Sequence, residues 1–217
     1  MANLTADAET VRRNLTAVET RVAAACARAG RDPAAVRICV ATKYVDQAGM
    51  LALKQAGVGI AAENRLQDMI AKQEHFREDF EWHFIGSIQS RKVREIAERV
   101  TTIHSLSTES ARDKLAGLTE PPEVLVQVNV SGEESKSGVN PQDLDAFIAD
   151  SPVAVSGLMT MPPLAERPDD ARPYFKALAK LAAEHDLSEL SIGTTQDFEV
   201  AVEEGATLIR IGSVIFR

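Results

Sequence analysis

Lys43 closes the first apolar run of the chain, Val36-Arg37-Ile38-Cys39-Val40-Ala41-Thr42-Lys43. Two later apolar runs end in Leu190-Ser191-Ile192-Gly193-Thr194-Thr195 and Thr207-Leu208-Ile209-Arg210-Ile211-Gly212-Ser213. An amine at one strand end can condense with an aldehyde. Hydroxyls and glycine backbone at two others can cradle a phosphate. The combination suits an aldehyde-bearing phosphate ester. Pyridoxal 5'-phosphate (PLP) is a ligand of that kind, held by lysine as a Schiff base.

Each of these residues also has a plainer reading. Lys43 can be a solvated lysine at a strand end; a nucleophilic role asks for partial burial. Arg210 stands among apolar residues, where a guanidinium is costly without a partner. It either pairs with a barrel carboxylate or meets the pyridine nitrogen of PLP. In the second case the nitrogen stays unprotonated and the ring is a weak electron sink, which disfavours transamination. Gly193-Thr194-Thr195 precedes a helix that Thr195 or Asp197 can cap, and the same N–H groups attract phosphate. Gly212 and Ser213 would complete the cradle. His83 reads as a core residue, and His75, His104 and His185 lack metal-ligand spacing, so no metal site is expected. Met159 and Met161 read as core or pocket wall. Asp68, Glu74, Glu78 and Asp79 read as a solvated helix face, and 131–138 as a polar surface loop that can serve as a lid.

The positioning elements follow from periodicity. Leu15, Val18, Val22, Ala25 and Cys26 recur at helical spacing and predict a helix over 5–29, ended by Gly30 and Pro33. Strands are predicted at 37–42, 59–62, 81–85, 101–105, 123–129, 153–157, 189–192 and 207–211, with 123–129 the longest. Helices fall between them at 47–55, 65–75, 90–99, 108–116, 141–149, 168–185 and 197–204. The Pro-rich stretch 161–168 reads as a loop after the sixth strand. Strict alternation implies parallel strands with right-handed crossovers. The expected fold is α/β, a (β/α)8 TIM barrel with one extra N-terminal helix. An open doubly wound sheet is the alternative, weakened by the absence of Gly-x-Gly-x-x-Gly after the first strand. In a barrel the chemistry lies at the C-terminal strand ends, often with phosphate after strands seven and eight. Those ends carry Lys43, Glu63-Asn64, Gly86-Ser87, Ser105, Asn129, Met159, Gly193-Thr194-Thr195 and Gly212-Ser213.

At 217 residues, 45% hydrophobic and 26% charged, the chain reads as one globular domain over 1–217. A net charge of −8 argues against a polyanion-binding surface, so no nucleic-acid partner is expected. Met1-Ala2-Asn3-Leu4-Thr5-Ala6-Asp7 is not a signal peptide, and no apolar stretch is long enough to span a bilayer. We expect a cytoplasmic monomer. Cys26 and Cys39, the only cysteines, read as buried thiols.

The chain resembles the YggS/PROSC family, PLP homeostasis proteins with the alanine racemase N-terminal-domain fold. The resemblance rests on Ala41-Thr42-Lys43, Glu63-Asn64-Arg65-Leu66-Gln67 and Trp82-His83-Phe84-Ile85-Gly86-Ser87-Ile88-Gln89-Ser90-Arg91-Lys92. It continues through Gln127-Val128-Asn129-Val130, Ser135-Lys136-Ser137-Gly138, Gly157-Leu158-Met159-Thr160 and Asp197-Phe198-Glu199 to Ile209-Arg210-Ile211-Gly212-Ser213. It implies that Lys43 bonds PLP, that Arg210 faces the pyridine nitrogen, that Asn64 and Met159 line the ring, and that the two terminal loops grip the phosphate. The family's Ser-Met-Gly-Met-Ser is here Ser191-Ile192-Gly193-Thr194-Thr195, which moves the phosphate hydroxyl to Thr195 with Thr194 as a second donor. The glycine common before Glu-Asn is Ala62, and the chain stops at Arg217, where the family usually runs on.

The expected function is therefore a PLP carrier or buffer without robust catalysis, with apo PLP-dependent enzymes as candidate recipients. A PLP-dependent amino-acid racemase is the alternative. The racemase reading asks for a second, β-rich domain and an opposing base. The chain has Tyr44, beside Lys43 and expected to point elsewhere, and Tyr174 in a helix. A third reading is a barrel for another phosphorylated metabolite.

Overall fold

The computed structural model describes residues 6–133, 136–164 and 166–217. Thr5, where the first helix was expected to begin, Glu134 and Ser135 of the 131–138 loop, and Ala165 of the Pro-rich loop lie outside the described residues.

Helix α1 (Ala8–Ala29) starts where the Asp7 carboxylate accepts the Thr10 N–H at 2.7 Å. It stops at Gly30, whose φ of 65° is the left-handed cap that glycine adopts at little cost. Its apolar stripe, Val11, Val18, Val22, Ala25 and Cys26, is buried. Then strands and helices alternate: β1 (Arg37–Ala41), α2 (Gln47–Ala56), β2 (Ile60–Glu63), α3 (Leu66–Phe76), β3 (Glu81–Phe84), α4 (Val93–Ala97), β4 (Thr102–Leu106) and α5 (Glu109–Arg112). The second half continues with β5 (Glu123–Gln127), α6 (Leu144–Ala149), β6 (Val155–Met159), α7 (Arg172–Glu184), β7 (Glu189–Thr194), α8 (Phe198–Glu203) and β8 (Leu208–Ile211).

The eight strands pair in parallel in sequence order, and β8 returns to β1 through Cys39 beside Arg210 and Val40 beside Ile211. The sheet is therefore a closed (β/α)8 barrel with one extra N-terminal helix, as the alternation predicts. Several helices are shorter than the periodicity suggests, because their first turn is a tighter 3-10 turn, as at Ser90–Lys92, Pro141–Asp143 and Pro168–Ala171. Two strand expectations need correction. The longest strand is β7, with six residues, not β5, with five. The sixth strand is 155–159, not 153–157: Gly157 lies inside it. A methyl group on Gly157 would come within 2.0 Å of the Glu189 carbonyl oxygen, so this glycine marks the close approach of β6 to β7 and not a strand end.

Most of the apolar core lies between the strands and the helices, while the barrel interior keeps only a small apolar cluster of Cys39, Ile60, Ala62, Leu125 and Leu208. Polar residues fill the rest. At the N-terminal mouth Arg37 meets Glu189 at 2.9 Å, Glu81 at 3.9 Å and Glu123 at 4.0 Å. These four residues come from the four odd-numbered strands, as one layer of a barrel interior does. Cys26 and Cys39 are free and buried, as expected. No helix among the described residues is long and apolar enough to cross a membrane.

Candidate functional site at the open mouth

The parallel register brings the C-terminal strand ends to one rim. Val40 pairs with Ile211, so Lys43 and Gly212–Ser213 leave neighbouring strands together. Glu63 pairs with Phe84, which sets Asn64 beside Ile85 and Gly86, and Met159 pairs with Ser191.

Lys43 is exposed, with its ammonium 4.8 Å from the centre of the Tyr44 ring. Lys43 is thus solvated, as its plainer reading has it, without the partial burial that the nucleophilic reading asks for. One expectation is corrected: Tyr44 lies against it and does not point elsewhere. The reason is the wall beneath. Thr42 is fully buried, and its hydroxyl donates to the Glu63 carboxylate at 2.8 Å. Lys72 of α3 reaches into the same spot, donating to the Thr42 carbonyl at 2.6 Å and to Glu63 Oε1. The other Glu63 oxygen accepts the Asn64 N–H at 3.1 Å. A buried ion pair thus ties together the strand ends that carry Lys43 and Asn64. Sequence reading missed Lys72. Its signal was position: it falls on the buried stripe of α3 with Leu66, Met69, Gln73 and Phe76.

Asn64, Arg65, Ile85, Gly86, Met159 and Met161 are among the residues lining a cavity of about 450 Å³ at the rim. The carboxamide oxygen of Asn64 is buried there with no hydrogen-bond partner. A buried acceptor left unsatisfied is costly and signals a missing donor. Met159, 2% exposed, forms wall beside it. Lys136 and Met161 border both this cavity and a second of about 480 Å³, whose lining includes Thr194, Gln196 and Asp197.

The two loops expected to cradle phosphate are joined. Thr195 does not cap α8; its hydroxyl accepts the Gly212 N–H at 3.2 Å and bridges the loops. Asp197 precedes α8 without capping it forward, and its carboxylate turns back to accept the Thr194 N–H at 2.6 Å and the Thr194 hydroxyl at 3.0 Å. Gly193 has a φ of 88°, and a methyl group there would meet the Ala201 side chain at 2.5 Å, so it serves the packing of β7 against α8. Around Gly212 the space where a side chain would sit is open. Ser213, part-exposed, begins the closing 3-10 turn Ser213–Phe216.

Arg210 is 5% exposed, and no carboxylate among the described residues pairs with it. One nitrogen donates to the Ser191 carbonyl at 2.6 Å and the Ser191 hydroxyl at 2.5 Å; the other donates to the Thr160 carbonyl at 3.0 Å and the Met161 sulfur at 2.9 Å. Burial pulls its pKa down to about 10, although Cys39 and Asp197 work in the other direction. The alternative of an ion pair with a barrel carboxylate is therefore set aside. Ser191 itself lies fully buried inside the barrel and meets the rim through Arg210.

Comparison with known proteins fits this geometry. The profile of the family described as alanine racemase, N-terminal domain, matches residues 13–217. The pyridoxal phosphate homeostasis protein of Aquifex aeolicus is 39% identical over 217 residues, covering 93% of this chain and 95% of its own. That of Pseudomonas aeruginosa is 39% identical over 220 residues, covering 95% of each. The chain belongs to this family of pyridoxal phosphate homeostasis proteins. The family member PipY of Synechococcus elongatus, solved with PLP bound, superposes with a TM-score of 0.80 at 28% identity, over 95% of this chain and all of that one. Alanine racemase from Clostridium difficile, at 13% identity and a TM-score of 0.69, shares the fold over 95% of this chain and 56% of its own.

Proposed function

We propose that this chain is an intracellular PLP carrier, one barrel domain over residues 1–217, which holds the cofactor at the open mouth. The single observation that carries this reading is the rim itself. The Lys43 amine and the open turn at Gly212 follow the neighbouring strands β1 and β8 at this rim, and Asn64, with its unsatisfied carboxamide oxygen, and Met159 line the rim cavity, in a chain with the family resemblance above. PLP supplies an aldehyde that condenses with a lysine amine and a dianionic phosphate.

Lys43 supplies the amine. Asn64 offers its bare oxygen to a donor on the ring, and Met159 gives the ring an apolar wall. Thr195 and Ser213 offer hydroxyl donors to the phosphate and Gly212, whose N–H goes to Thr195, leaves it room, with Gly193 and Thr194 shaping that end. Thr194 contributes less, because Asp197 already takes its N–H and hydroxyl proton. Arg210 faces the pyridine nitrogen as a donor-only group and leaves that nitrogen unprotonated. This suits storage better than carbanion chemistry. Its relatives bear the name of a homeostasis function and not of a reaction. Monomeric state, a cytoplasmic place and apo PLP-dependent enzymes as recipients complete the reading; the two free thiols support a reducing compartment.

The experiment is borohydride reduction of the PLP-loaded protein with peptide mapping. The label belongs on Lys43, and Lys43→Ala loses it. Reduction at another lysine in the wild type overturns the assignment. Lys43-dependent exchange of the alanine α-proton at roughly 1–1000 per second, the ordinary enzyme range, makes the chain a racemase instead.

A further inference from the structure

A chain of side chains runs through the barrel from one mouth to the other, buried from His83 to Arg210 and exposed at Glu81. At the closed mouth Glu81 Oε1 lies 2.8 Å from His83 Nε2. His83 Nδ1 lies 2.8 Å from His104 Nε2. His104 Nδ1 lies 2.7 Å from the Ser191 hydroxyl, crossing the barrel from β4 to β7. Ser191 then receives the Arg210 N–H at 2.5 Å. Both imidazoles are fully buried.

The two ends fix the direction of every bond between them. A guanidinium only donates and a carboxylate only accepts. The Ser191 hydroxyl accepts from Arg210 on one lone pair, and the carboxylate end decides where its own proton goes. Glu81 takes the His83 Nε2 proton, His83 Nδ1 then accepts from His104 Nε2, and the bare His104 Nδ1 accepts from Ser191. A neutral His104 then carries its proton on Nε2 and donates to His83 Nδ1. His83 carries its own on Nε2 and donates to Glu81. Each imidazole nitrogen is used once in this arrangement, and Glu81 Oε1 also accepts from the Thr101 hydroxyl at 3.2 Å. Burial, with His83 and Arg210 nearby, holds the pKa of His104 well below its ordinary value, consistent with the neutral form. The charged and titratable groups around the chain are Arg37 and Cys39 on β1, Glu81 on β3 and Asp197 next to α8. The thiol of Cys39 is pushed up to about 12 by burial and stays neutral.

We infer that His83, His104 and Ser191 form a one-way hydrogen-bonded relay from Arg210 to Glu81, and that the two histidines are positioning residues which set how Arg210 meets the cofactor ring. This rests on the reading that Arg210 faces PLP. The relay gives Arg210 a distant anionic terminus in place of an adjacent carboxylate. It also fixes the Ser191 hydroxyl as an acceptor toward the guanidinium.

The test has one arm without cofactor and one with it. In the cofactor-free protein, imidazole nitrogen NMR should show both His83 and His104 neutral and protonated on Nε2. A proton on His104 Nδ1 overturns the relay. In the loaded protein, His104→Phe removes the acceptor for Ser191, whereas His104→Asn retains one near the Nδ1 position. The Phe variant should shift the visible absorption maximum and release PLP roughly tenfold faster, and the Asn variant should restore both toward wild type. Folded Phe and Asn variants that both match the wild-type spectrum and release rate sink the inference. Ser191→Ala, which deletes only the linking hydroxyl, gives the same comparison if His104→Phe does not fold. A wild-type protein that takes up no PLP fails the carrier reading instead, and leaves the NMR result to judge the relay.

Discussion

At the residue scale, the attachment lysine is held in place by another lysine. Lys72 and Glu63 are buried side by side, and each also bonds a strand end of the site: Thr42 ahead of Lys43, and Asn64. Breaking such a pair leaves an uncompensated charge in the wall. Lys72→Met should therefore cost about 3–5 kcal/mol in urea unfolding. Adding Glu63→Gln should recover most of that loss, since the carboxamide is uncharged, its oxygen can accept the Asn64 N–H, and its NH2 can donate to the Thr42 hydroxyl, which already reaches the Ala62 carbonyl at 3.1 Å. Equal stability of the single and double variants would show that the pair does not carry this load. The site was only partly legible here. Lys43 and Arg210 announce themselves as charges at the end of, or within, apolar runs. Lys72 sits in an unremarkable helical sequence, and its importance appears only when α3 packs against β1 and β2. Likewise His83 and His104 are 21 positions apart, and only the β3–β4 pairing brings their rings together.

At the element scale, the alternation of short Val- and Ile-rich runs with helical stretches was sufficient for strand number, order and parallel sense. Boundaries were less legible, because glycine carries two meanings. Gly30 and Gly57 end helices with φ values of 65° and 84°. Gly157 instead lies within β6, where Glu189 leaves no room for a side chain. Gly157→Ala should push β6 off β7 and lower stability by about 1–3 kcal/mol, the usual cost of overpacking. Calorimetry checks it, and an unchanged melting temperature would return Gly157 to the role of a strand terminator. Because Met159 follows two residues later and pairs with Ser191, the variant should also weaken PLP retention.

At the scale of the whole molecule, the barrel is polar along its axis, which the period-two pattern of the strands only hints at. Arg37 with three glutamates closes one mouth, the imidazole pair occupies the middle, and Arg210 lies beneath the open rim. Such an interior makes stability depend on pH in a direction that can be worked out. His104 has a folded-state pKa well below its ordinary value of 6.5, because burial penalises its charged form. Above pH 6.5 it is neutral in both the folded and unfolded chains, and its contribution is independent of pH. Below pH 6.5 the unfolded chain binds a proton that the folded chain refuses, so stability falls as the solution is acidified. The slope from this one group approaches about 1.4 kcal/mol per pH unit until the folded pKa is reached. Glu81 adds to the loss at lower pH: its bond to His83 depresses its pKa, so its contribution disappears as the carboxylate protonates. Unfolding free energies of the wild type and of His104→Asn, measured from pH 7 to pH 5, should therefore diverge in slope, with the variant shallower by up to that amount. Parallel curves would mean that His104 titrates normally in the folded barrel. The interior would then admit a proton on the imidazole, and the neutral, one-directional column between the two mouths would not hold.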